Sequence, residues 1–332
     1  MVIAIHTAAF RDFGTLGNNI TDNGKYGVQI FFVISGFTIA RTYRNATGFG
    51  SYFGRRMMRI APLYIVVIAF AFYLLASGYN QPIYWMTLYN SEADAYNLLM
   101  HVSFMSGWDA RVANSILGVE WSIPIEVFWY AVLPLVLPIA SDQRRRFAIF
   151  LGLLVLAGMT KVAEHLILPK HAAHFMPLSY GAYFYLGAVA ETLRDTFAKQ
   201  PATFRRRVWY GSILLFAVTL CVDTGLNAAF FALATAGLIV ARPGTHEVRG
   251  VLGRKPFLFL GSISYSLYLM HILVIRELGK STALQDSNTL VFFGTALILT
   301  ILVSMFTYLT IERPTNRLGA RLFGLRKGHI SA

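Results

Sequence analysis

The sequence predicts an all-α fold, a polytopic membrane helical bundle of about ten transmembrane helices whose first helix is truncated. Three observations lead there. Hydrophobic residues make up 56% of the 332 residues and charged residues only 14%, against about a quarter charged in a soluble domain. Apolar runs close to the ~20 residues that cross a bilayer as a helix recur along the whole length. The charges between those runs are sorted by sign from one loop to the next. Runs this long and continuous are unlike the short alternating strands of a membrane barrel. A backbone in lipid has to satisfy its own hydrogen bonds, which leaves helices. No long polar linker interrupts the pattern, so residues 1–332 read as one domain with no appended soluble domain.

The apolar runs fall near residues 1–10, 26–42, 59–77, 122–140, 147–165, 177–193, 208–222, 226–241, 256–276 and 289–310. With the N-terminus inside, alternate loops hold most of the 29 Lys and Arg: Arg41, Arg44, Arg55, Arg56 and Arg59, then Arg144, Arg145 and Arg146, then Arg194, Lys199, Arg205, Arg206 and Arg207, then Arg242, Arg249, Arg254 and Lys255, and finally Arg313, Arg317, Arg321, Arg326 and Lys327. The other loops hold Asp12, Asp22, Glu92, Asp94, Asp109, Glu120, Asp223 and Asp286. This is the positive-inside bias, and adding or losing one internal helix would invert every later loop. It places the C-terminus in the cytoplasm.

Taken in order, the first run would rise only ~15 Å as a helix, half a bilayer. A start upstream of Met1 or a stub helix accounts for that, and the run lacks the charged region and small-residue cleavage site of a signal peptide. The second run contains Ser35-Gly36, a pair that permits a kink or close helix approach. The third is entered through the arginine-rich GRRMMR. Residues 78–119 then form the longest outer loop; its YNQPIYWMTLYN suits an interfacial, sugar-facing or lid-like loop, or an aromatic belt. The fourth run follows Trp121, with Pro124 in its first turn. The triplets Arg144–Arg146 and Arg205–Arg207 read as plain inside anchors. In the ninth run Gly261, Ser264, Tyr268 and His271 recur at three- and four-residue intervals, a small-and-polar stripe facing neighbouring helices.

The net charge of +13 is explained by this loop sorting, and no nucleic-acid partner is implied. The single Cys221 excludes an intrachain disulfide and any cysteine-based metal site. Three ionisable groups lie in or against apolar runs, where burial in hydrocarbon costs several kcal/mol: His6, Glu126 and His271. By the topology above all three lie toward the outer side, at one depth. A neutral histidine there can take a proton from a hydroxyl, and a carboxylate can fix its tautomer and stabilise the imidazolium. The plain alternatives are an interfacial histidine for His6 and a helix-end imidazole reaching water for His271. Arg55, Arg56 and Arg59 line the inner mouth of the third helix, with Arg55 and Arg59 on one face. Guanidinium forks bind phosphate, although topology determination and anionic lipid headgroups would also place arginines there. His6, Glu126 and His271 have no metal-ligand spacing, so no metal is expected.

The segments Gly27-Val-Gln-Ile-Phe-Phe-Val-Ile-Ser-Gly-Phe37, Arg55-Arg56-Met-Met-Arg59-Ile-Ala-Pro62-Leu-Tyr64, Trp121-Ser-Ile-Pro-Ile-Glu126-Val-Phe-Trp-Tyr130, Ser264-Tyr-Ser-Leu-Tyr-Leu-Met-His271 and Ile311-Glu-Arg-Pro314, in this order, resemble the membrane acyltransferase 3 family. That family includes O-acetyltransferases of bacterial surface polysaccharides. The resemblance implies that an acyl group, commonly acetyl, passes from cytoplasmic acetyl-CoA to a hydroxyl of a cell-surface or exported glycan. It implies His6 as catalytic base, with Glu126 and His271 as the other catalytic residues. Arg55, Arg56 and Arg59 would hold the donor phosphates, with Ser35 and Tyr64 along the donor path. The family's pattern also has an arginine upstream of the first-helix histidine, at a position that would precede Met1. Two other readings use the same residues: a proton-coupled transporter or flippase of a lipid-linked sugar, and an inactive truncated relative.

Overall fold

The computed structural model describes residues 1–241, 253–282 and 288–324. Arg242, Arg249, Asp286, Arg326 and Lys327, among the sorted charges, lie outside the described residues. In order, the helices are α1 (Val2–His6), α2 (Gly14–Asp22), α3 (Gly27–Arg44), α4 (Phe49–Ala76), α5 (Tyr84–Leu88), α6 (Ala95–Val102), α7 (Ser122–Val136), α8 (Gln143–Leu166), α9 (Ala172–Phe175), α10 (Gly181–Ala198), α11 (Ala202–Cys221), α12 (Asn227–Val240), α13 (Lys255–Ser262), α14 (Ser264–Leu278), α15 (Thr289–Thr307) and α16 (Arg313–Leu322). No β-strand occurs among the described residues.

The all-α, membrane-spanning class is thus present, but the number of long spans is smaller than expected. Among the described residues, four helices are long and apolar enough to cross a membrane: α4, α7 with its 3-10 extension (Ser122–Ile139), α8, and the continuous Thr289–Leu322. The pair α13 and α14, bent by 67° across Ile263, gives a fifth if it is one span. The remaining apolar runs are helical but short or polar. Helix α1 has 5 residues and α12 has 14. Helix α10 carries Glu191, Arg194 and Asp195, and α11 begins with Arg205, Arg206 and Arg207.

The chain divides into two compact units, Met1–Phe37 with Tyr183–Phe306, and Thr38–Ala182 with Thr307–Ala332. In the first unit the segment expected as a loop after residue 10 is instead structured. Helix α2 ends on Asn23, whose Nδ2 donates to the carbonyls of Thr219 and Leu220, both at 3.1 Å. Asn227 Nδ2 donates to Asn23 Oδ1 at 2.8 Å and to Val222 O at 2.7 Å. These amides satisfy the carbonyls that the C-terminus of α11 leaves open. The core of this unit is built on small residues, Ala190, Ala232 and Ala236 around Val33. A Cβ on Gly36 would lie 1.8 Å from the Phe184 carbonyl oxygen, and one on Gly187 the same distance from that of Val33. The two backbones therefore touch, as small residues permit between membrane helices. Helix α3 continues through Ser35-Gly36, and of the two roles the sequence allows there, close backbone approach is present. The glycine serves packing.

In the second unit α4 is the long apolar element, 28 residues. Helix α16 crosses its basic end: Gly319 sits against Met58, and Ser51 Oγ donates to the Phe323 carbonyl at 2.8 Å. Helix α7 is held by Trp129, whose indole N–H donates to the Pro177 carbonyl at 2.8 Å.

Candidate active site

The first unit brings together two of the three ionisable residues singled out by the sequence. His6 ends α1 and His271 lies in the second turn of α14, and their ring centroids are 5.4 Å apart with planes tilted by 45°. Helix α1 stops just beyond His6 because Ala8 adopts a left-handed conformation, φ +53°. That is an uncommon choice for a residue with a Cβ, and such strain clusters at functional positions. His6 remains exposed, whereas His271 is buried, 1% exposed. His271 Nδ1 lies 2.6 Å from the Tyr268 carbonyl oxygen. A carbonyl only accepts, so Nδ1 carries the proton and Nε2 is the lone-pair nitrogen of the neutral ring. Among the described residues Nε2 has no hydrogen-bond partner.

Beside this pair is a cavity of about 290 Å³, lined among others by Val28, Phe31, Ser264, Tyr268 and His271. Phe31 and Tyr268 face each other across 6.4 Å, nearly parallel at 4°. The small-and-polar stripe expected along the ninth run is thus only partly realised. Ser264, Tyr268 and His271 share the cavity, but the bend at Ile263 places Gly261 on α13, where nothing lies within 4 Å of a Cβ built on it. Ser35 is buried at 4% exposure in the packed part of α3 and is not among the cavity residues.

Glu126 belongs to the second unit. It is 2% exposed and accepts a hydrogen bond from the Tyr130 hydroxyl at 2.6 Å. The two are one helical turn apart on α7, so the pairing is local. Arg56 completes this group. Its guanidinium carbon lies 5.2 Å above the Tyr130 ring, and its Nη2 donates to Thr42 Oγ1 at 2.8 Å. A buried guanidinium over an aromatic face gains from the ring quadrupole.

The three arginines expected as one phosphate clamp therefore divide. Arg56 is buried at 6% exposure and turned toward α7, while Arg55 and Arg59 remain partly exposed. The reason is helical geometry: residues four apart share a face, and the residue next to Arg55 points about 100° away. Arg55 Nε donates to the Ser51 carbonyl at 3.4 Å. Tyr64 is fully buried and stacks on Phe104, with centroids 5.0 Å apart. Reading the sequence missed Tyr130 and Thr42. Tyr130 could have been found, because a hydroxyl one turn from an intramembrane carboxylate is its natural donor. Thr42 could not, because only tertiary packing brings it to Arg56. Among the described residues no cluster of side chains could hold a metal ion.

The imidazole pair beside a cavity in the first unit and the carboxylate–tyrosine–arginine group of the second both fall inside a match, over residues 1–309, to the acyltransferase domain family. The chain belongs to the acyltransferase 3 family. It is an acyltransferase, and the segments that resembled that family in sequence carry Arg56, Glu126, Tyr130 and His271. The chain is 26% identical over 274 residues to nodulation protein 10 of Rhizobium leguminosarum bv. viciae, covering 76% of this chain and 72% of that protein. It is 26% identical over 356 residues to the putative peptidoglycan O-acetyltransferase YrhL of Bacillus subtilis, covering 94% of this chain and 53% of that protein. It is 24% identical over 343 residues to the O-acetyltransferase OatA of Staphylococcus aureus, covering 93% and 56%. The chain thus spans only about half the length of these last two relatives. No solved structure matches it.

Proposed function

We propose that this acyltransferase is an integral inner-membrane O-acetyltransferase that moves an acetyl group from acetyl-CoA to a hydroxyl of a cell-surface or exported glycan. The observation that carries this reading is the His6–His271 pair beside its cavity. The proposed chemistry needs a base that can approach a hydroxyl and a space for the acyl carbon next to it. The exposed His6 ring removes the hydroxyl proton. The resulting oxyanion attacks the thioester carbonyl, the new C–O bond forms, and the C–S bond breaks as the thiolate leaves. His271, with its proton on Nδ1, keeps the Nε2 lone pair available at the cavity, where it positions the acceptor. Arg55 and Arg59, on one face of α4, take the donor's phosphates. The ten-helix topology with a cytoplasmic C-terminus accompanies this reading, with the shorter helices crossing in company. The O-acetyltransferase names of YrhL and OatA favour acetyl as the group, and the peptidoglycan in that of YrhL favours a glycan as the acceptor.

The test is purified protein in detergent with radiolabelled acetyl-CoA and candidate glycans, peptidoglycan fragments among them. Label should reach the glycan with wild-type protein and not with His6→Ala or Glu126→Gln, both of which should still insert into membranes. Label that never leaves acetyl-CoA, together with substrate movement into proteoliposomes, would replace the reading with a proton-coupled carrier. Normal transfer by either variant would remove that residue from the mechanism.

A further inference from the structure

The sequence predicts an outer loop between α4 and α7, yet from α6 onward the burial of this segment is inverted relative to a loop in water. On α6 and the turn after it, Tyr96, Leu99, Val102 and Met105 are exposed at 46%, 65%, 38% and 48%, while Asn97 and His101 are fully buried. Residues 95–108 contain no Asp, Glu, Lys or Arg. In the irregular chain that follows, residues 112–121 are buried except for the half-buried Gly118, while Arg111 is exposed and pairs with Asp109 at 2.6 Å where the chain returns to the polar surface. Its backbone is satisfied from within. The Glu120 carboxylate accepts from the N–H groups of Ile116 at 2.7 Å, Gly118 at 2.6 Å and Val119 at 2.9 Å. His101 Nδ1 donates to the Asn97 carbonyl at 2.8 Å, and its Nε2 lies 3.4 Å from Glu120 Oε1. Ser115 Oγ donates to Asn97 Oδ1 at 2.9 Å, and Asn97 Nδ2 donates to the Glu92 carbonyl at 2.9 Å. Irregular backbone at membrane depth is tolerated only where protein buries it and supplies its partners.

The depth follows from α4. Phe104 stacks on Tyr64, and beyond Tyr64 the helix continues without a break to Ala76. Those further twelve residues rise ~18 Å. They are apolar, with Val66, Phe70 and Tyr73 exposed at 51%, 53% and 66%. An exposed apolar stretch of that length belongs in hydrocarbon, and Phe104 lies at its foot. Helix α6 packs directly against α4, so its exposed apolar face continues the lipid-facing surface of that span.

We propose that residues 95–121 form a re-entrant hairpin that enters the membrane from the side opposite the α4 arginines, with Leu99, Val102 and Met105 against lipid acyl chains, Tyr96 at the polar entrance where its hydroxyl donates to Asp109 at 2.9 Å, and the His101–Glu120 pair closing its inner side. The proposal does not depend on which group is transferred or to what acceptor.

The test uses a Cys221→Ser background in which Leu99→Cys, Val102→Cys or Met105→Cys carries a bimane label, with Glu92→Cys as the water-exposed control. Each protein is reconstituted into vesicles containing phosphatidylcholine brominated near the middle of its chains. Brominated lipid should quench the three hairpin labels and spare the control, and aqueous iodide should do the reverse. Iodide quenching at Leu99 and Met105 equal to that at Glu92 would return the segment to solvent. Unmutated protein supplies a second readout: a photoactivatable lipid with its diazirine deep in the chain should leave adducts on residues 95–108. Adducts on α4, α8 and α15 with none on 95–108 would overturn the proposal.

Discussion

Tyr130→Phe isolates the support that Tyr130 gives Glu126. The change keeps the ring under the Arg56 guanidinium and deletes only the hydroxyl that donates to Glu126 Oε1 at 2.6 Å. Hydrogen bonds to charged groups contribute about 1.5–3 kcal/mol, and a buried acceptor that loses its donor bears the full desolvation cost. Because ~1.4 kcal/mol is a factor of ten in rate, transfer should slow by about 10- to 150-fold if the ionised carboxylate is used in the rate-limiting step. The dependence on acetyl-CoA should change little, since the ring and the helix stay in place. The assay is initial rate of label transfer against acetyl-CoA concentration, run beside thermal unfolding in the same detergent. The double variant Tyr130→Phe with Glu126→Gln should be no worse than Glu126→Gln alone, because the two side chains act as one unit. A Tyr130→Phe enzyme that transfers at the wild-type rate would refute the reasoning, as would losses in the double variant that simply add.

The arginines should separate by kinetics. Ala at Arg55 and Arg59 should raise KM for acetyl-CoA, whereas Arg56→Ala should lower kcat with KM nearly unchanged, and identical effects at all three would restore a single clamp. Gly36→Ala puts a methyl 1.8 Å from the Phe184 carbonyl oxygen; overpacking of this kind costs about 1–3 kcal/mol, so its unfolding midpoint in detergent should fall, and Gly261→Ala, with open space around it, is the control. His174, outside the spanning helices, stays neutral because burial first, then Lys161 and His171, lower its pKa to about 4. The unfolded chain takes up that proton more readily, so stability should rise with pH between about 4 and 6.5. His174→Phe, among the rings of Trp85, Trp121 and Phe175, should flatten that part of the profile; an unchanged slope would exclude His174 as its source.

Much of this protein is decided by its order of residues alone. Apolar runs too long for barrel strands commit the chain to helices in a membrane, because lipid offers the backbone no partners. The cost of a charge in hydrocarbon singles out His6, Glu126 and His271 before any fold is known, and residues four apart place Arg55 and Arg59 on one face and Tyr130 beside Glu126. Which of these groups meet was left to tertiary packing. The bend at Ile263 carries Ser264, Tyr268 and His271, but not Gly261, to the cavity. The turn of the helix buries Arg56 over Tyr130, and Gly36 serves contact with α10 where a kink was equally compatible with the sequence. The loop before α7 was legible as acidic and rich in Tyr, Trp, Asn and Met. Its His101–Glu120 pair was not, because eighteen intervening residues hide a partnership that only the folded backbone makes. Local periodicity fixes which face a residue occupies. The partner on that face comes from segments distant in sequence, and no pattern within one segment encodes it.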